Sequence, residues 1–521
     1  MPNQLDPSPP LQTVPAILAW AAQHWSEKAA VVEGDQVTTF NELHQQARSL
    51  AKAFIASGFS HGARFSIWAP NSTIWQVIAL GGQLAGCVLV PLNTRYKQTE
   101  VKDILIRSKS QAVFHIETFL GTDYSAMLAS LNGIESVSLV PMSTMDDWVR
   151  AGETISDIEL DQRISQVTAD SLADILFTSG TTGLPKGVMC SHGQNIRVFQ
   201  TWTAGVTLGS DDEYLIVNPY FHSFGYKAGW LSALIKGATV YPVASFDIDQ
   251  VLALIEQHSI TFLPGAPTIF QSLLSHPQKN IYDLSTLRCA VTGAASIPVQ
   301  LVKDMKHLLE FQEVYTAYGL TESTGVVSLC QSGDDFETIA NTSGRPMQDV
   351  EVQITSPAGV ALEAGQTGEI WVRGFNVMQG YLDDLEATQE AITPDGWLKT
   401  GDIGTQDEQG YLSITDRVKD MYICGGFNCY PAEIENRLLS HPDITDVAVL
   451  GAVDERLGEV GYAFIVARDG ATPDEAEIIA WSRLQMANFK APRYISFVTV
   501  LPRNASGKVQ KYLLKQQMEK P

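Results

Sequence analysis

The segment TSGTTGLPKG, which runs from Thr178 to Gly187, contains the residue types that bind phosphate. Hydroxyl side chains and glycines allow the backbone N–H groups of a loop to face one anion, and Lys186 adds a mobile positive charge. The spacing is not that of a Walker loop, and the segment joins two strand-like stretches, ADILF and GVMC, instead of opening a helix. We therefore predict a phosphate-binding loop rather than a flexible surface hairpin.

Other chemical signatures are missing from the sequence. No two glycines are separated by a single residue, which excludes a GxGxxG dinucleotide fingerprint, and no His precedes a Glu, which excludes an HExxH zinc site. The segment GFSHG matches GxSxG, but Ser60 follows a predicted helix that stops at Gly58. A nucleophile elbow must follow a strand, so Ser60 is not predicted to be catalytic.

Alternating strands and helices are predicted from residue 214 onwards. Apolar strand segments alternate with helical segments such as VLALIEQHS, which predicts βαβ units and a parallel sheet with helices on both faces. Ligands bind beyond the carboxyl ends of such strands, and small residues there let a flat ligand approach the backbone. The residues at these ends are Gly265, Gly293, Ala294, Ala295, Tyr318 and Gly319.

The predicted fold class is α/β, with a large N-terminal domain of doubly wound βαβ sheets plus a small β unit, and a small α+β C-terminal domain. The β unit is predicted over 350–416 from EVQIT, GEIWVRG and GYLSITD. A Pro-started helix, PAEIENRLL, and further strands follow Lys419. We place the domains at residues 1–418 and 419–521.

The charge balance excludes some binding partners. Among 521 residues, 58 Asp and Glu outnumber 35 Lys and Arg, giving a formal charge of −23. A sequence-independent nucleic-acid binder needs the opposite balance, so no nucleic-acid partner is predicted. Basic residues predominate only from Leu484 to the C-terminus. We expect a cationic face there that helps to hold a polyanion, formed by residues that include Lys490, Arg493, Arg503, Lys511 and Lys515.

No stable membrane insertion is predicted, and a cytoplasmic location is expected. Residues 65–94 carry no charge, but Pro70, Gly81, Gly82 and Pro91 divide them into a helix, a turn and a strand. The N-terminus has no apolar signal region. Six cysteines without regular spacing predict reduced thiols.

Several motifs in fixed order resemble those of the adenylate-forming superfamily, which contains acyl-CoA synthetases, adenylation domains and luciferases. The loop from Thr178 resembles its phosphate loop, and the resemblance covers nearly the whole chain after the first dozen residues. The other motifs are TAYGLTES (316–323), WLKTGD (397–402), ITDRVKD (414–420) and NASGKVQK (504–511).

The resemblance implies a role for each matching residue. Thr321 contacts the AMP phosphate and Glu322 holds Mg²⁺, while Asp402 and Arg417 bind the ribose and Lys508 is the catalytic lysine. The remaining implied ATP-binding residues are Thr178, Ser179, Gly180, Thr181, Thr182, Gly183, Lys186, Gly293, Ala294, Ala295, Tyr318 and Gly319. Among them, Gly293, Ala294 and Ala295 resemble the strand end on which adenine stacks. The implied substrates are ATP, CoA and a carboxylic acid.

The resemblance also implies a moving C-terminal domain. Lys508 is needed when the acid attacks the α-phosphate, whereas a thiol must reach the same carbon afterwards. A hinge at Lys419 lets CGGFNCYP (424–431) replace Lys508 at the site. Gly425, Gly426 and Phe427 are then expected to contact CoA.

The acyl pocket is expected in PYFHSFGYKAGW (219–230), which resembles the family's acyl-pocket motif, with His222 as the gate beside the carboxylate. Phe221, Phe224, Lys227 and Gly229 are its other candidates. For Lys227, a side chain that snorkels to the surface is favoured over contact with a ring ketone.

Four further segments, among them SGDDFETIANTSGRP and MANFKAPR, resemble ligases that activate the indanedione propionate left from the steroid C and D rings. The predicted function is an ATP-dependent acyl-CoA ligase that acts on such a ring-bearing acid. A medium- or long-chain fatty-acid or aryl-acid CoA ligase is the enzyme alternative, and a non-catalytic adenylate-binding protein is the alternative from another class. The sequence makes no prediction of oligomeric state.

Overall fold

A computed structural model describes residues 12–178, 185–293, 297, 299–356, 358–417, 422–429, 431–468, 470–502, 509 and 511–518. The chain divides into two compact units. Unit 1 contains residues 1–94, 105–176 and 187–416, and unit 2 contains residues 95–104, 177–186 and 417–521. The domain boundary predicted after residue 418 remains a prediction.

The largest sheet of unit 1 has nine strands within the described ranges. In spatial order they are Arg345–Pro346, Ser328–Leu329, Glu313–Tyr318, Cys289–Gly293, Phe262–Pro264, Glu213–Ile216, Thr239–Pro242, Ala29–Glu33 and Gln36–Thr39. The neighbours from Glu313–Tyr318 to Ala29–Glu33 run parallel. The strands that the sequence predicts at 214–219, 238–243, 260–265, 287–293 and 314–319 are therefore confirmed as parallel strands of this sheet. Its outer strands pair antiparallel at both ends.

A second sheet has seven strands in the part of the chain that the structure describes. They are Gly380–Tyr381, Lys186–Ser191, Leu172–Thr178, Val88–Pro91, Arg64–Trp68, Ser110–His115 and Ser138–Pro141. The strands predicted on both sides of the phosphate loop are confirmed as Leu172–Thr178 and Lys186–Ser191. A smaller antiparallel sheet confirms the predicted β unit, with strands Val350–Thr355, Gly368–Gly374, Leu398–Gln406 and Leu412–Arg417.

Helices cover both large sheets and begin where their sequences provide caps. The helix Phe40–Ala56 opens with a capping box in which Thr39 Oγ1 accepts from the Glu42 N–H and Glu42 accepts from the Thr39 N–H. The longer helices of unit 1 are Val14–His24, Phe40–Ala56, Thr73–Leu84, Asp157–Ile164, His192–Gly205, Ile248–His258, Pro267–Ser275 and Val299–Leu308. Shorter helices and turns are Tyr124–Ala129, Met142–Thr144, Met145–Ala151, Gly152–Thr154, Ser223–Gly225, Tyr226–Leu231, Ser232–Lys236, Lys279–Ile281, Thr321–Ser323, Phe336–Asn341 and Leu385–Ala391.

The uncharged stretch 65–94 folds inside unit 1 as predicted, with the strand Arg64–Trp68, the helix Thr73–Leu84 and the strand Val88–Pro91. Every residue of this helix from Trp75 to Leu84 is buried, which explains its lack of charge. Within the described residues, no helix is both long and apolar enough to cross a membrane.

Unit 2 is an α+β fold with its own hydrophobic core. Its main sheet contains the strands Tyr422–Cys424, Phe427–Cys429, Ile444–Asp454, Gly458–Ala467 and Tyr494–Phe497. The helices Pro431–Leu439, Glu475–Gln485 and Lys511–Gln517 belong to the same unit, as does the start of the helix Gln98–Ser108. The predicted α+β character of the tail is confirmed.

Candidate active site

Two neighbouring parallel strands end at the same edge of the nine-stranded sheet, where the adenine site is expected. Gly293 ends one strand and pairs with Ala317 of the next, which ends at Tyr318. A Cβ atom on Gly293 would lie 2.6 Å from the carbonyl oxygen of Ala317. Glycine is therefore required here, because any side chain would push the strands apart. Ala294 and Ala295 lie outside the described residues.

Tyr318 and Asp402, two of the predicted ATP-binding residues, are in direct contact. The Tyr318 hydroxyl donates to Asp402 Oδ2 at 2.6 Å, and Asp402 is only 2% exposed. Asp402 comes from the strand Leu398–Gln406 of the small β unit. The small β unit therefore places a carboxylate beside the carboxyl ends of these strands. Hydrogen bonds to a charged carboxylate are stronger than hydrogen bonds between neutral groups. Gly319 packs its Cα against the carbonyl of Gly325, so it has no room for a side chain.

Thr321 and Glu322 lie half-buried in a single 3-10 turn, Thr321–Ser323, that follows Tyr318. The carbonyl of Glu322 accepts from the Met378 N–H at 2.9 Å, and its Oε1 accepts from the Tyr381 hydroxyl at 3.1 Å. Tyr381 pairs with Val188 of the strand that leaves the phosphate loop. The Met378 contact therefore holds the backbone of Glu322, and the Tyr381 contact orients the carboxylate that is expected to hold Mg²⁺.

The phosphate loop itself is described only at its two ends. Thr178 ends one strand and Lys186 begins the next, with both side chains partly buried. The Thr178 hydroxyl donates to the Lys186 carbonyl at 3.5 Å. The predicted residues between them, Ser179, Gly180, Thr181, Thr182 and Gly183, lie outside the described residues.

The acyl segment 219–230 is fixed at its start by Asn71. Asn71 Oδ1 accepts from the Tyr220 N–H at 2.7 Å, and Asn71 Nδ2 donates to the Asn218 carbonyl at 2.9 Å. His222 follows and caps the short helix Ser223–Gly225 through its Nδ1, which accepts from the Phe224 N–H at 3.2 Å. Phe221 and Phe224 are half-buried.

The His222 side chain combines solvent exposure with a shifted pKa. It is exposed to solvent, yet desolvation by the surrounding protein lowers the pKa of its imidazole. The ring is therefore neutral at pH 7. Ser223 next to it lies close to Gly325, since a Cβ on Gly325 would lie 3.5 Å from Ser223 Cβ. Gly325 follows the Thr321–Ser323 turn by two residues, so Ser223 and its neighbour His222 lie near this turn.

The expectation that Lys227 snorkels to the surface is wrong. Its side chain is 0% exposed, and its Nζ lies 2.9 Å from Oδ1 of Asp174, whose side chain is also 0% exposed. An ion pair in the core offsets the cost of burying each charge, which is why the chain tolerates a lysine here. Gly229 is also buried, in the turn Tyr226–Leu231.

In unit 2, the predicted CoA-contacting residues form a tight hairpin. Gly425 and Gly426 have φ of +56° and +82° and connect the strands Tyr422–Cys424 and Phe427–Cys429. Two positive φ values in a two-residue turn require residues such as glycine. The Phe427 ring stacks on Phe489, with centroids 4.6 Å apart.

The expectation that Lys490 contributes to a cationic surface is also wrong. Lys490 is 2% exposed, and its Nζ lies 2.9 Å from Glu100 Oε1 and 2.6 Å from Glu433 Oε1. Both partners are acidic residues distant from Lys490 in sequence. A count of basic residues in the tail therefore could not predict that Lys490 is buried. Lys515 is exposed, as expected.

The remaining predicted residues belong to the junction and the tail. The strand Leu412–Arg417 ends at Arg417. Lys419 and Lys508 lie outside the described residues, so their roles remain predictions.

Three supporting residues were missed from the sequence: Tyr381, Asp174 and Asn195. Asp174 had a usable signal, because it is the one charged residue in the apolar strand LADILF, and a charge inside a buried strand needs a partner. Tyr381 and Asn195 stand in ordinary polar contexts and are recognised only from their contacts. The described residues hold no cluster of three His, Cys, Asp or Glu side chains suited to a metal.

The sequence of the chain matches a known protein family. Residues 18–382 match the family model described as AMP-binding enzyme, and residues 433–508 match the AMP-binding enzyme C-terminal domain. The chain belongs to the AMP-binding enzyme family, and the predicted membership of the adenylate-forming superfamily is confirmed.

Two curated relatives cover almost the whole chain. A 7a-methyl-1,5-dioxo-octahydro-1H-inden-4-yl propanoyl:CoA ligase of Rhodococcus jostii is 47% identical over 97% of this chain and 98% of its own length. A ligase with the same name from Mycobacterium tuberculosis is 48% identical over 97% of this chain and 99% of its own. The predicted resemblance to indanedione-propionate ligases is confirmed, and the chain is an AMP-forming acyl-CoA synthetase.

Solved structures agree with this class. An o-succinylbenzoate CoA synthetase of Bacillus subtilis, bound with a product analogue, superposes with a TM-score of 0.84 at 29% identity and covers 96% of this chain and 98% of its own. A Mycobacterium tuberculosis fatty acyl CoA synthetase gives a TM-score of 0.72 at 28% identity, over 97% of this chain and 98% of its own.

Proposed function

We propose that this enzyme joins a bulky, ring-bearing propionic acid to CoA, with an indanedione propionate derived from steroid rings as the substrate type. The observation that carries the proposal is the clustering of Tyr318, Asp402 and Glu322 with the acyl segment at one sheet edge. The two relatives named for an indanedione-type propanoyl substrate support the choice of acid.

In the first half-reaction, a carboxylate oxygen of the acid attacks the α-phosphorus of ATP. The P–O bond to the β-phosphate breaks, so pyrophosphate leaves and an acyl-adenylate forms. Such phosphoryl chemistry requires positioning and charge neutralisation more than covalent help. We assign Asp402 and Arg417 to the ribose, Thr321 and Lys186 to the phosphates, and Lys508 to the carboxylate and α-phosphate.

We assign Mg²⁺ to Glu322. Its carboxylate fits the ion, because Mg²⁺ prefers one or two carboxylates together with substrate phosphates and keeps several waters. The Tyr381 hydroxyl occupies Oε1 at 3.1 Å and so fixes the orientation of the group. The ion supplies positive charge opposite the leaving pyrophosphate.

In the second half-reaction, the thiolate of CoA attacks the acyl carbon, the C–O bond to the phosphate breaks, and AMP leaves. We propose that the C-terminal domain turns about Lys419 between the steps, which removes Lys508 and brings Gly425, Gly426 and Phe427 to the acyl group. The tight Gly425-Gly426 hairpin supports this role, because a turn without side chains can line a narrow passage.

The acid is recognised beside His222 and Phe224. A neutral imidazole places no competing charge beside the carboxylate, which Lys508 is proposed to bind instead. Half-buried Phe221 and Phe224 offer apolar surface for a fused ring system. A cytoplasmic location is proposed with this activity, and the free, buried state of all six cysteines supports it.

Competition among acids tests the proposed substrate. Wild-type enzyme is given ATP, Mg²⁺ and CoA with equimolar indanedione propionate, octanoate and ferulate, and each thioester is quantified to give relative kcat/KM. Octanoate and ferulate represent the alternatives suggested by the medium-chain acyl-CoA ligase and feruloyl-CoA synthase relatives. We expect the ring-bearing propionate to exceed both by at least about tenfold. A preference for octanoate or ferulate would replace the proposed substrate without changing the enzyme class.

A further inference from the structure

A fully buried ion pair lies at the base of the acyl segment. Lys227 Nζ is 2.9 Å from Asp174 Oδ1, and Asn195 Nδ2 donates to Asp174 Oδ2 at 2.5 Å. The Lys227 contact is an ion pair without hydrogen-bond geometry, whereas the Asn195 contact is a hydrogen bond. Burial is the largest single influence and lowers the pKa of Lys227, but Asp174 and Cys190 together outweigh it and hold the pKa above its ordinary value.

The three residues come from three different elements around the site. Asp174 lies in the strand Leu172–Thr178, which leads into the phosphate loop. Lys227 lies in the acyl segment, five residues after His222. Asn195 is on the helix His192–Gly205, which is the next helix after the loop's exit strand. A single cluster thus connects the strand before the phosphate loop to the segment that contains the gate.

The backbone around Lys227 needs such an anchor. Tyr226–Leu231 is a π-helical turn, and Gly229 inside it departs from helical geometry with φ −82° and ψ −112°. The Ser232 hydroxyl donates to the Lys227 carbonyl at 2.8 Å. Turns of this type lose regular backbone hydrogen bonds and occur frequently at functional sites. The ion pair between Lys227 and Asp174 therefore helps to hold the turn in place, because its backbone has fewer regular hydrogen bonds.

Stability alone is a poor explanation for this pair. Well-packed apolar residues of similar volume often replace a buried ion pair without loss of stability, because desolvation consumes much of the attraction. An ion pair, however, can fix the position of one segment relative to another, because the charge on each attracts the opposite charge on the other. Here the two segments are the acyl segment and the strand Leu172–Thr178.

We propose that Lys227 is a positioning residue for adenylation: by pairing with Asp174, it fixes the acyl segment relative to the strand that enters the phosphate loop, and so determines which acids present their carboxylate to ATP. The inference rests on the proposed function for the reaction, but it does not depend on the identity of the preferred acid. Lys227 does not contact substrate in this account.

The test uses ATP–pyrophosphate exchange with the full-length enzyme. Lys227→Met and the double variant Asp174→Asn/Lys227→Met are compared with wild type, using the acid that wild type prefers and a straight-chain acid that it disfavours. The double variant removes both charges, so it folds even where a lone buried carboxylate would prevent folding. The readout is the ratio of kcat/KM for the two acids, in which the fraction of folded enzyme cancels.

Arg288→Met provides the matched control. Arg288 donates to Asp212 Oδ2 at 2.7 Å in a partly buried pair that lies just before the amino ends of two strands of the nine-stranded sheet. The pair therefore lies at the amino ends of the parallel strands, whereas Tyr318 lies at their carboxyl ends. Loss of Arg288 destabilises the same unit without touching the acyl segment.

We expect both Lys227 variants to lower the selectivity ratio about tenfold, mainly through a higher KM for the preferred acid, with the KM for ATP changed less than about twofold. Arg288→Met should leave the ratio at its wild-type value. An unchanged ratio in the double variant would overturn the proposal and leave the pair a purely structural role. Failure of the proposed substrate would instead appear in wild type, as a different preferred acid.

Discussion

At the scale of single residues, the best-supported assignment is the Tyr318–Asp402 pair. A 2.6 Å hydrogen bond fixes a buried carboxylate at the end of the strand that carries the implied adenine-contacting residues. The phenol donates to one oxygen of this carboxylate and so fixes its orientation. The ribose-binding role proposed for Asp402 depends on its charge and its orientation together.

Asp402→Asn should raise the KM for ATP about 10- to 100-fold, because hydrogen bonds to a charged group contribute about 1.5–3 kcal/mol. The KM for the acid should change little. Steady-state kinetics with varied ATP measure both. Asp334→Asn is the matched control, since Asp334 accepts from the Tyr411 hydroxyl at 2.5 Å in a second Tyr–Asp pair. Equal KM values for ATP in wild type and Asp402→Asn would contradict the ribose assignment.

Lys508→Ala should abolish formation of the acyl-adenylate and leave the second half-reaction largely intact. The proposed reason is that Lys508 neutralises charge at the α-phosphate and leaves before CoA attacks. Pyrophosphate exchange measures the first step, and synthetic acyl-adenylate with CoA measures the second. Equal loss in both steps would remove support for the two-position model.

At the scale of elements, strand ends were more predictable than side-chain partners. The parallel direction of the strands from Glu313–Tyr318 to Thr239–Pro242 followed from apolar segments alternating with helices. The ligand site at their carboxyl ends remains a prediction. The buried state of Lys227 did not follow, because its partner Asp174 is distant in sequence and belongs to the other large sheet. Local pattern predicts elements, whereas a buried charge is decided by the element packed against it.

The hinge prediction also belongs to this scale. Lys419→Pro should allow normal pyrophosphate exchange but greatly reduce thioester formation. Proline fixes φ near −65° and removes the N–H, so a hinge that must change its backbone angles is locked. The matched control is Lys419→Ala, which preserves backbone freedom and should behave like wild type. A proline at Lys399 would be no control, because that residue lies within a strand. Unimpaired turnover in Lys419→Pro would place the hinge elsewhere.

At the scale of the whole molecule, the formal charge of −23 does not predict which individual charges are buried and which are exposed. The basic residues of the tail were expected to face solvent, yet Lys490 is buried between Glu100 and Glu433 in unit 2. Burial raises the pKa of Glu433 although Lys490 opposes the shift. A charge count therefore identified a cationic segment without identifying which of its members are free to bind CoA.

Lys490→Met should lower the free energy of unfolding of unit 2 by about 3–5 kcal/mol, because it leaves two buried carboxylates without their cation. A raised carboxyl pKa in the folded state means that the folded protein binds protons more readily, so stability should recover as the pH falls. Urea unfolding at pH 8 and pH 5.5 measures this. Lys515→Met, at an exposed position, should change stability by less than about 0.5 kcal/mol at both pH values. A pH-independent loss would contradict the account.

The central claim is that the acid's own oxygen attacks the α-phosphorus of ATP before CoA enters. The most direct test supplies the preferred acid with both carboxylate oxygens labelled with ¹⁸O, together with ATP, Mg²⁺ and CoA, and analyses the products by mass spectrometry. We predict one ¹⁸O in AMP, none in pyrophosphate and one in the thioester carbonyl. Label in pyrophosphate or inorganic phosphate, or a thioester formed with unlabelled AMP, would contradict the claim.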